Sequence, residues 1–375
     1  MQHTYPHFSS PLEIGGLTLS NRIVMPPLVI WQSGQEGLVH EAHLAHYRES
    51  AGPGLIIAEA ACVASNGRLA ATQIGIFGDE QLPGLTALAS TIADTGAVPG
   101  IQIHHAGAQS TREKNWGEDP VVVSLGERSP EGAVELDEAG IRLIISQFGD
   151  AAERAVSAGF KLIEIHGAHG YLGSQFLSPR HNKRSDAWGG SLENRVRFLQ
   201  EVTREVVSRV GDRAVIACRL GVADQVLPIE EGIRAARILI DAGVQLLHVS
   251  NAGGMPKLPD GGHLPDSEDG LSALFLFACR VRSALADLPH IPVIGVGGVK
   301  TPSRAETALS RREPVDLVAV GRGLLADPAW AAKSLAGREQ EISPCIDCRP
   351  RCFWFSEPER CPARAAIAAG RYPAG

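Results

Sequence analysis

The chain has 375 residues, 44% of them hydrophobic and 21% charged, and carries a formal net charge of −7. This mild acidity, with no block of lysine or arginine, excludes nucleic acid and anionic membrane surfaces as expected partners. No charged-then-apolar leader and no apolar run of about 18 residues occurs, so the expected setting is the cytoplasm, and a core of this length needs neither disulfide nor metal to fold.

Short β-rich apolar runs alternate with longer amphipathic ones along the chain. The first run, 22–28, stops at Pro26-Pro27, a poor phosphate loop, which disfavours a doubly wound open sheet; a helix is expected at 40–50. The run 54–60 holds Leu55-Ile56-Ile57-Ala58, continuously apolar as in a sheet buried on both faces, and a helix is expected at 82–95. Strand 98–105 carries Gln102, His104 and His105 to its end, and a loop over 115–134 leads to a helix at 138–158 closed by Ala158-Gly159. Strand 161–167 runs into His166-Gly-Ala-His169-Gly-Tyr171, after which Ser191 opens a helix at 191–210. Strand 214–221 sets Arg219 inside an apolar run ahead of a helix at 229–242. Strand 244–251 precedes a Gly/Pro/Asp-rich loop over 251–269, expected to be mobile at the mouth, and a helix at 271–285. Strands 292–298 and 317–323 end in glycines and precede helices at 302–309 and 328–335. Eight alternating units predict an α/β protein, a closed (β/α)8 TIM barrel over residues 1–338, with a short cysteine-rich extension over 339–375 packed on it.

Active sites of such barrels lie at the C-terminal ends of the strands. His166, His169 and Tyr171 place two imidazoles and a phenol there; imidazoles can donate to a carbonyl or phenolate oxygen and a phenol can deliver a proton. Two satisfied histidines in a loop are the bland alternative, which the clustering outweighs. A buried Arg219 needs an anion or polarised oxygen, and a salt bridge to another strand serves as well as a ligand. Gly297-Gly298 and Gly321-Arg322-Gly323 end the last two strands, where bare N–H groups commonly bind phosphate. Together these imply a phosphorylated cofactor with a polar ring over the barrel.

Of seven cysteines, Cys62, Cys218 and Cys279 sit in apolar surroundings, while Cys345, Cys348, Cys352 and Cys361 crowd into seventeen residues. The spacing Cys-x2-Cys-x3-Cys-x8-Cys-Pro suits an iron–sulfur cluster and structural zinc equally.

The run from His166 through Ser178-Pro179, continuing over Arg184-Ser-Asp-Ala-Trp-Gly-Gly-Ser-Leu-Glu-Asn-Arg195, together with the N-terminal Ser10-Pro-Leu-Glu-Ile-Gly-Gly-Leu-Thr-Leu-Ser-Asn-Arg-Ile-Val-Met-Pro-Pro27, resembles the old yellow enzyme (NADH:flavin oxidoreductase) family of FMN barrels. The resemblance implies that Pro26, Pro27, Ala60, Gln102 and Arg219 contact the flavin ring, with Arg219 near N1 and the C2 carbonyl. It implies that Gly297, Gly298, Gly321 and Arg322 hold the FMN phosphate, that His166 and His169 bind the substrate's activating oxygen, and that Tyr171 donates a proton. The implied activity is ene-reduction of an α,β-unsaturated carbonyl or thioester. Cys345-Ile-Asp-Cys348 resembles the branch containing 2,4-dienoyl-CoA reductase and trimethylamine dehydrogenase, which implies a 4Fe–4S cluster on Cys345, Cys348, Cys352 and Cys361. That branch continues into an FAD- and NAD(P)H-binding module; with fourteen residues after Cys361, the module is expected to be absent, so NAD(P)H or a separate electron-transfer protein is expected to reduce the flavin. A homo-oligomer acting on a small-molecule substrate is implied. Val29 and Ala108 depart from the family pattern at the flavin O4 edge and the site periphery. An oxidative amine dehydrogenase is the competing reading, although no cysteine between Met25 and Glu36 could attach FMN covalently and the two histidines favour a carbonyl. A non-catalytic electron-transfer protein docking through Trp31 and the mouth loops is the third.

Overall fold

A computed structural model describes residues 5–127, 129–258, 260–349, 351–355 and 357–374. Pro259 of the expected mouth loop and Pro350, Ser356 and Gly375 of the expected extension lie outside the described residues. Eight parallel strands close into a barrel: β1 (Ile23–Met25), β2 (Leu55–Cys62), β3 (Val98–His104), β4 (Leu162–Gly167), β5 (Val215–Gly221), β6 (Leu246–Ser250), β7 (Val293–Val296) and β8 (Leu317–Ala319). Each pairs with its sequence neighbours, and β8 returns to β1 through Val318 opposite Ile23. The α/β barrel expected from eight alternating units is the architecture found.

Strand alternation divides the apolar side chains into two sets. Val24, Leu55, Ile57, Leu162, Val215, Leu246, Ile294 and Leu317 face inward and form one cluster with Ile14 and Leu19. Those last two belong to an antiparallel hairpin, Leu12–Ile14 with Leu17–Leu19, which plugs the N-terminal end of the barrel. Its turn needs glycine: Gly15 sits at φ +53°, and a Cβ there would lie 2.8 Å from the Gln245 amide. The hairpin was not foreseen, because three-residue strands carry too little periodicity to read.

Outward side chains such as Ile163, Ile165, Ile216, Leu247 and Val249 join the helices in a second cluster. Helix Glu138–Ala158 starts where Asp137 accepts from Gly140 N and stops at Gly159, φ +104°; helix Leu192–Val210 starts where Ser191 accepts from Asn194 N. Fully burying one aliphatic side chain is worth about 2 kcal/mol, so the apolar lower barrel can support a costly polar layer above it.

Several strands are shorter than expected, the first ending at Met25 rather than residue 28 and the seventh at Val296 rather than 298, and two boundaries bear on the site. β2 runs on to Cys62 with a bulge between Ala58 and Ala60, which ejects Glu59 and sets Ala60 opposite Gln102. The eighth strand ends at Ala319 rather than at residue 323, because Gly321 turns the chain and Leu324 N donates back to Gly321 O, opening the helix Arg322–Ala326. A short helix, Leu172–Leu177, also follows β4 unforeseen.

Beyond helix Trp330–Leu335 the chain folds back on the barrel in short turns and a last helix, Pro362–Ala368. Arg364 donates to Leu325 O and pairs with Glu49, and Trp354 packs on His46 with ring centroids 5.0 Å apart. A fully buried Lys333–Asp327 pair (2.8 Å) ties the segment down, with Lys333 also donating to Pro373 O and Asp327 accepting from Ser343 N. No helix among the described residues is long and apolar enough to cross a membrane.

Candidate active site

Above the apolar floor the barrel interior turns polar. Glu164, fully buried, accepts from Gln102 Nε2 at 2.7 Å and is bonded to His248 Nδ1 at 2.8 Å. Its charge faces Arg219: burial lowers the guanidinium pKa, and Glu164 and then Tyr171 oppose that shift. Glu164 acts on Arg219 only through its field, since among the described residues Arg219 makes no ion pair within 4 Å and its Nε has no hydrogen-bond partner, so capacity for a ligand remains. Glu164 and His248 were missed in the sequence. Their signal was the period of two that sets each on the face shared with His166 and Ser250.

Tyr171 and three histidine rings crowd at the mouth. Centroid distances are 4.9 Å for His166–Tyr171, 4.6 Å for His104–Tyr171, 5.1 Å for His166–His169 and 6.1 Å for His169–Tyr171. The turn that gathers them puts His169 at φ +62° and Gly170 at φ +75°, pinned by His169 N donating to Asn251 O at 2.9 Å and Gly170 N to Ala252 O. Hydrogen bonds set the tautomers. Ala168 N donates to His166 Nδ1 (3.2 Å), which leaves the proton on His166 Nε2; that atom lies 3.3 Å from His169 Nδ1, and His169 Nε2 lies 2.7 Å from Ser250 Oγ. Burial first, then neighbouring cations and imidazoles, holds both rings well below the ordinary histidine range, so both are neutral near pH 7. Burial raises the Tyr171 pKa against the pull of Arg219, keeping the phenol protonated. His104 is held down at about 3 by burial, and neither of its ring nitrogens has a hydrogen-bond partner among the described residues.

A cavity of about 290 Å³ opens beside this cluster. Pro26, Pro27, Arg219, Gly297, Gly298, Gly321 and Arg322, seven of the residues singled out in the sequence, line it together. Gly297 and Gly298 adopt φ +115° and +80°, and a Cβ on either would run into Ser272. Their N–H groups and that of Gly321 find no acceptor among the described residues. Lys300 and Arg322 add two cations at the same end, both paired with Asp347, the latter at 2.8 Å. Bare backbone donors plus two cations form a cradle that fits a phosphate. Ala60 and Gln102 do not line this cavity; they stand side by side in β2 and β3, with Gln102 turned into the barrel toward Glu164.

Cys345, Cys348, Cys352 and Cys361 all line one further cavity with Arg322, Asp347 and Trp354, and Cys345, Asp347 and Arg322 are shared with the cavity just described. Burial and the Cys345 and Cys361 thiols push the Cys352 thiol pKa up, against the Trp354 backbone N–H and Arg322. Among the described residues no three His, Cys, Asp or Glu side chains converge tightly enough to hold a metal ion. The other three cysteines are free and buried in the core.

Comparison with known proteins agrees with this geometry. Residues 8–341 match the model of the NADH:flavin oxidoreductase / NADH oxidase family. An NADH oxidase of Thermoanaerobacter brockii is 38% identical over 363 residues, covering 93% of this chain and 54% of that protein. An NADPH dehydrogenase of Geobacillus sp. (strain WCH70) is 37% identical over 342 residues, covering 87% of this chain and 94% of the relative. Among solved structures, a 2-naphthoyl-CoA reductase in complex with 2-naphthoyl-CoA superposes with a TM-score of 0.84 at 26% identity, covering 94% of this chain and 55% of that one. The chain thus spans about half the length of the NADH oxidase and of the naphthoyl-CoA reductase.

Proposed function

This chain belongs to the NADH:flavin oxidoreductase / NADH oxidase family, and from that premise we propose that it is an FMN-dependent oxidoreductase reducing the double bond of an α,β-unsaturated carbonyl or thioester. Two neutral imidazoles and a protonated phenol, in mutual ring contact beside a phosphate-fitting cavity, carry this reading. Pro26, Pro27, Ala60, Gln102 and Arg219 would hold the flavin ring, the orphaned Arg219 Nε supplying a donor for a ring oxygen or nitrogen. Gly297, Gly298 and Gly321 N–H groups with Arg322 would hold the phosphate. When bound, FMN supplies the hydride for the substrate's β-carbon and is re-reduced by NAD(P)H.

His166 Nε2–H, once it turns from His169 Nδ1, and His169 Nε2–H, once it turns from Ser250 Oγ, donate to the substrate oxygen. These bonds strengthen as negative charge develops there, which is how fixed neutral donors favour the transition state. Tyr171 gives its proton to the α-carbon, a role that its raised pKa supports at neutral pH.

We further propose that Cys345, Cys348, Cys352 and Cys361 hold a 4Fe–4S cluster. Four thiols around one cavity support it, and quantifying iron and sulfide against zinc in the purified protein decides between a cluster and a tetrahedral zinc site. A cluster beside the cofactor cavity would also serve a separate electron-transfer protein.

The deciding experiment is anaerobic stopped-flow. Flavin in the purified protein should bleach with NAD(P)H and reoxidise with 2-cyclohexenone, and Tyr171→Phe should slow the second phase about 10²-fold or more without slowing the first. Protein without FMN, or reoxidation indifferent to Tyr171, overturns the reading; zinc in place of iron and sulfide overturns the cluster alone.

A further inference from the structure

A second cavity, of about 460 Å³, lies beside the reactive turn and has no part in the reading above. Gln175 joins the two. Its Nε2 donates to Gly170 O at 2.6 Å, between His169 and Tyr171, and its Oε1 accepts from Ala108 N at 3.1 Å on the cavity wall. His181 reaches the same place from the other side: its Nε2 is 3.7 Å from where a Cβ on Gly253 would stand, and Gly253 Cα is 3.6 Å from where one on Gly170 would stand.

The charge in this cavity is unbalanced. Arg180, His181 and Lys183 line it against a single carboxylate, Glu127, so with His181 neutral the formal charge is +1. The Arg180 guanidinium has no hydrogen-bond or ion-pair partner among the described residues, whereas its backbone N donates to Ser178 Oγ. Among the described residues Lys183 Nζ donates only to Pro179 O. Burial first, then Arg180, lowers the His181 pKa, with Asp224 opposing and Lys183 adding to the fall. Arg184 nearby shows the contrast, since Asp186 satisfies it. A half-buried guanidinium without a counter-ion, at the wall of a roomy cavity and next to an ammonium, is a ready acceptor site for a phosphoryl group, which its planar fork matches. Exposed Leu125 adds an apolar rim for the rest of such a ligand.

We propose that this cavity is a phosphoryl-binding subsite, in which Arg180 and Lys183 hold a phosphate of the reducing dinucleotide or of a phosphorylated acyl carrier while the reactive end lies at Tyr171. The proposal rests on the oxidoreductase reading. Paired ligands that differ in phosphate distinguish the two sources. In the flavin-loaded Arg180→Ala, Lys183→Ala enzyme, flavin reduction by NAD(P)H is compared with that by the phosphate-free 1-benzyl-1,4-dihydronicotinamide, and reoxidation by an enoyl-CoA with the same enoyl group on N-acetylcysteamine. Losing charge-assisted hydrogen bonds worth about 1.5–3 kcal/mol should lower the phosphorylated-to-unphosphorylated ratio of kcat/KM at least about tenfold in one of the two pairs. The pair that moves names the source; if neither ratio moves, the proposal is overturned. Calorimetric titration of the flavin-loaded protein with inorganic pyrophosphate gives a readout without turnover, expected to be lost in the variant, and no heat in the parent enzyme also overturns the subsite. Should no enoyl compound reoxidise the parent enzyme, the ene-reductase reading fails while the dinucleotide pair and the calorimetry still decide the subsite.

Discussion

Glu164→Gln isolates the one buried charge that the polar layer depends on. The amide keeps the shape of the carboxylate, can still accept from Gln102, and can donate to His248 Nδ1 once the His248 proton moves to Nε2, a nitrogen that has no partner now. What disappears is the negative charge facing Arg219. Removing one member of a contacting buried ion pair costs about 3–5 kcal/mol; Glu164 contacts His248 at 2.8 Å and acts on Arg219 only through its field, which with the retained hydrogen bonds puts this case at the low end, about 3 kcal/mol. An unfolding entropy of about 2.1 cal/mol/K per residue amounts to roughly 0.8 kcal/mol/K for a chain of this length, so the melting temperature should fall by about 4 °C. Differential scanning calorimetry at pH 7 of parent and variant, each with flavin loaded and stripped, measures it. The stripped variant should lose more than the loaded one, because Arg219 then lacks both its carboxylate and any cofactor oxygen. A variant that melts within about 1 °C of the parent in both forms would refute the claim that Glu164 is the counter-charge holding Arg219 in place.

Gly298→Ala puts a Cβ 2.8 Å from Ser272 N at φ +80°, so it should weaken FMN binding, read as a raised Kd in fluorescence titration of the stripped protein. Lys333→Met leaves Asp327 charged and buried, and should destabilise the protein by about 3–5 kcal/mol in urea denaturation. For His46, burial first, then Arg364 and His43, holds the folded pKa at about 3 against 6.5. The unfolded chain takes up the proton first as pH falls, so stability is lost from pH 6.5 toward 3. His46→Phe keeps a ring against Trp354 and Tyr47 and should lose about 2 kcal/mol less than the parent between pH 7 and 5. Glu59 works in the opposite sense. Burial pushes its pKa up to about 8 against 4.5, so the native carboxyl stays protonated while the unfolded one ionises, and stability falls as pH rises from 4.5 to 8. Glu59→Gln should flatten that slope in the same denaturation series.

The sequence by itself determined the architecture and which end of the barrel holds most of the candidate site residues. Alternating apolar runs can be satisfied by a closed parallel barrel, and a strand's direction decides which of its ends faces the mouth, so His166, His169, Tyr171, Arg219 and the last two glycine turns could be assigned to one end before any coordinate was known. Tertiary structure decided what depends on partners distant in the chain. Glu164 becomes an anchor only because Gln102, 62 residues away, and His248, 84 residues away, turn toward it across the barrel. The protonation of His166 and His169 is set by burial and by Ser250, none of which a local pattern encodes. The bulge that ejects Glu59, the loose arrangement of the four tail cysteines beside the cavity lined by Arg219 and Arg322, and an Arg180 guanidinium without a partner among the described residues belong to the same class. Periodicity is a property of neighbours in sequence, whereas solvation and charge balance are properties of neighbours in space.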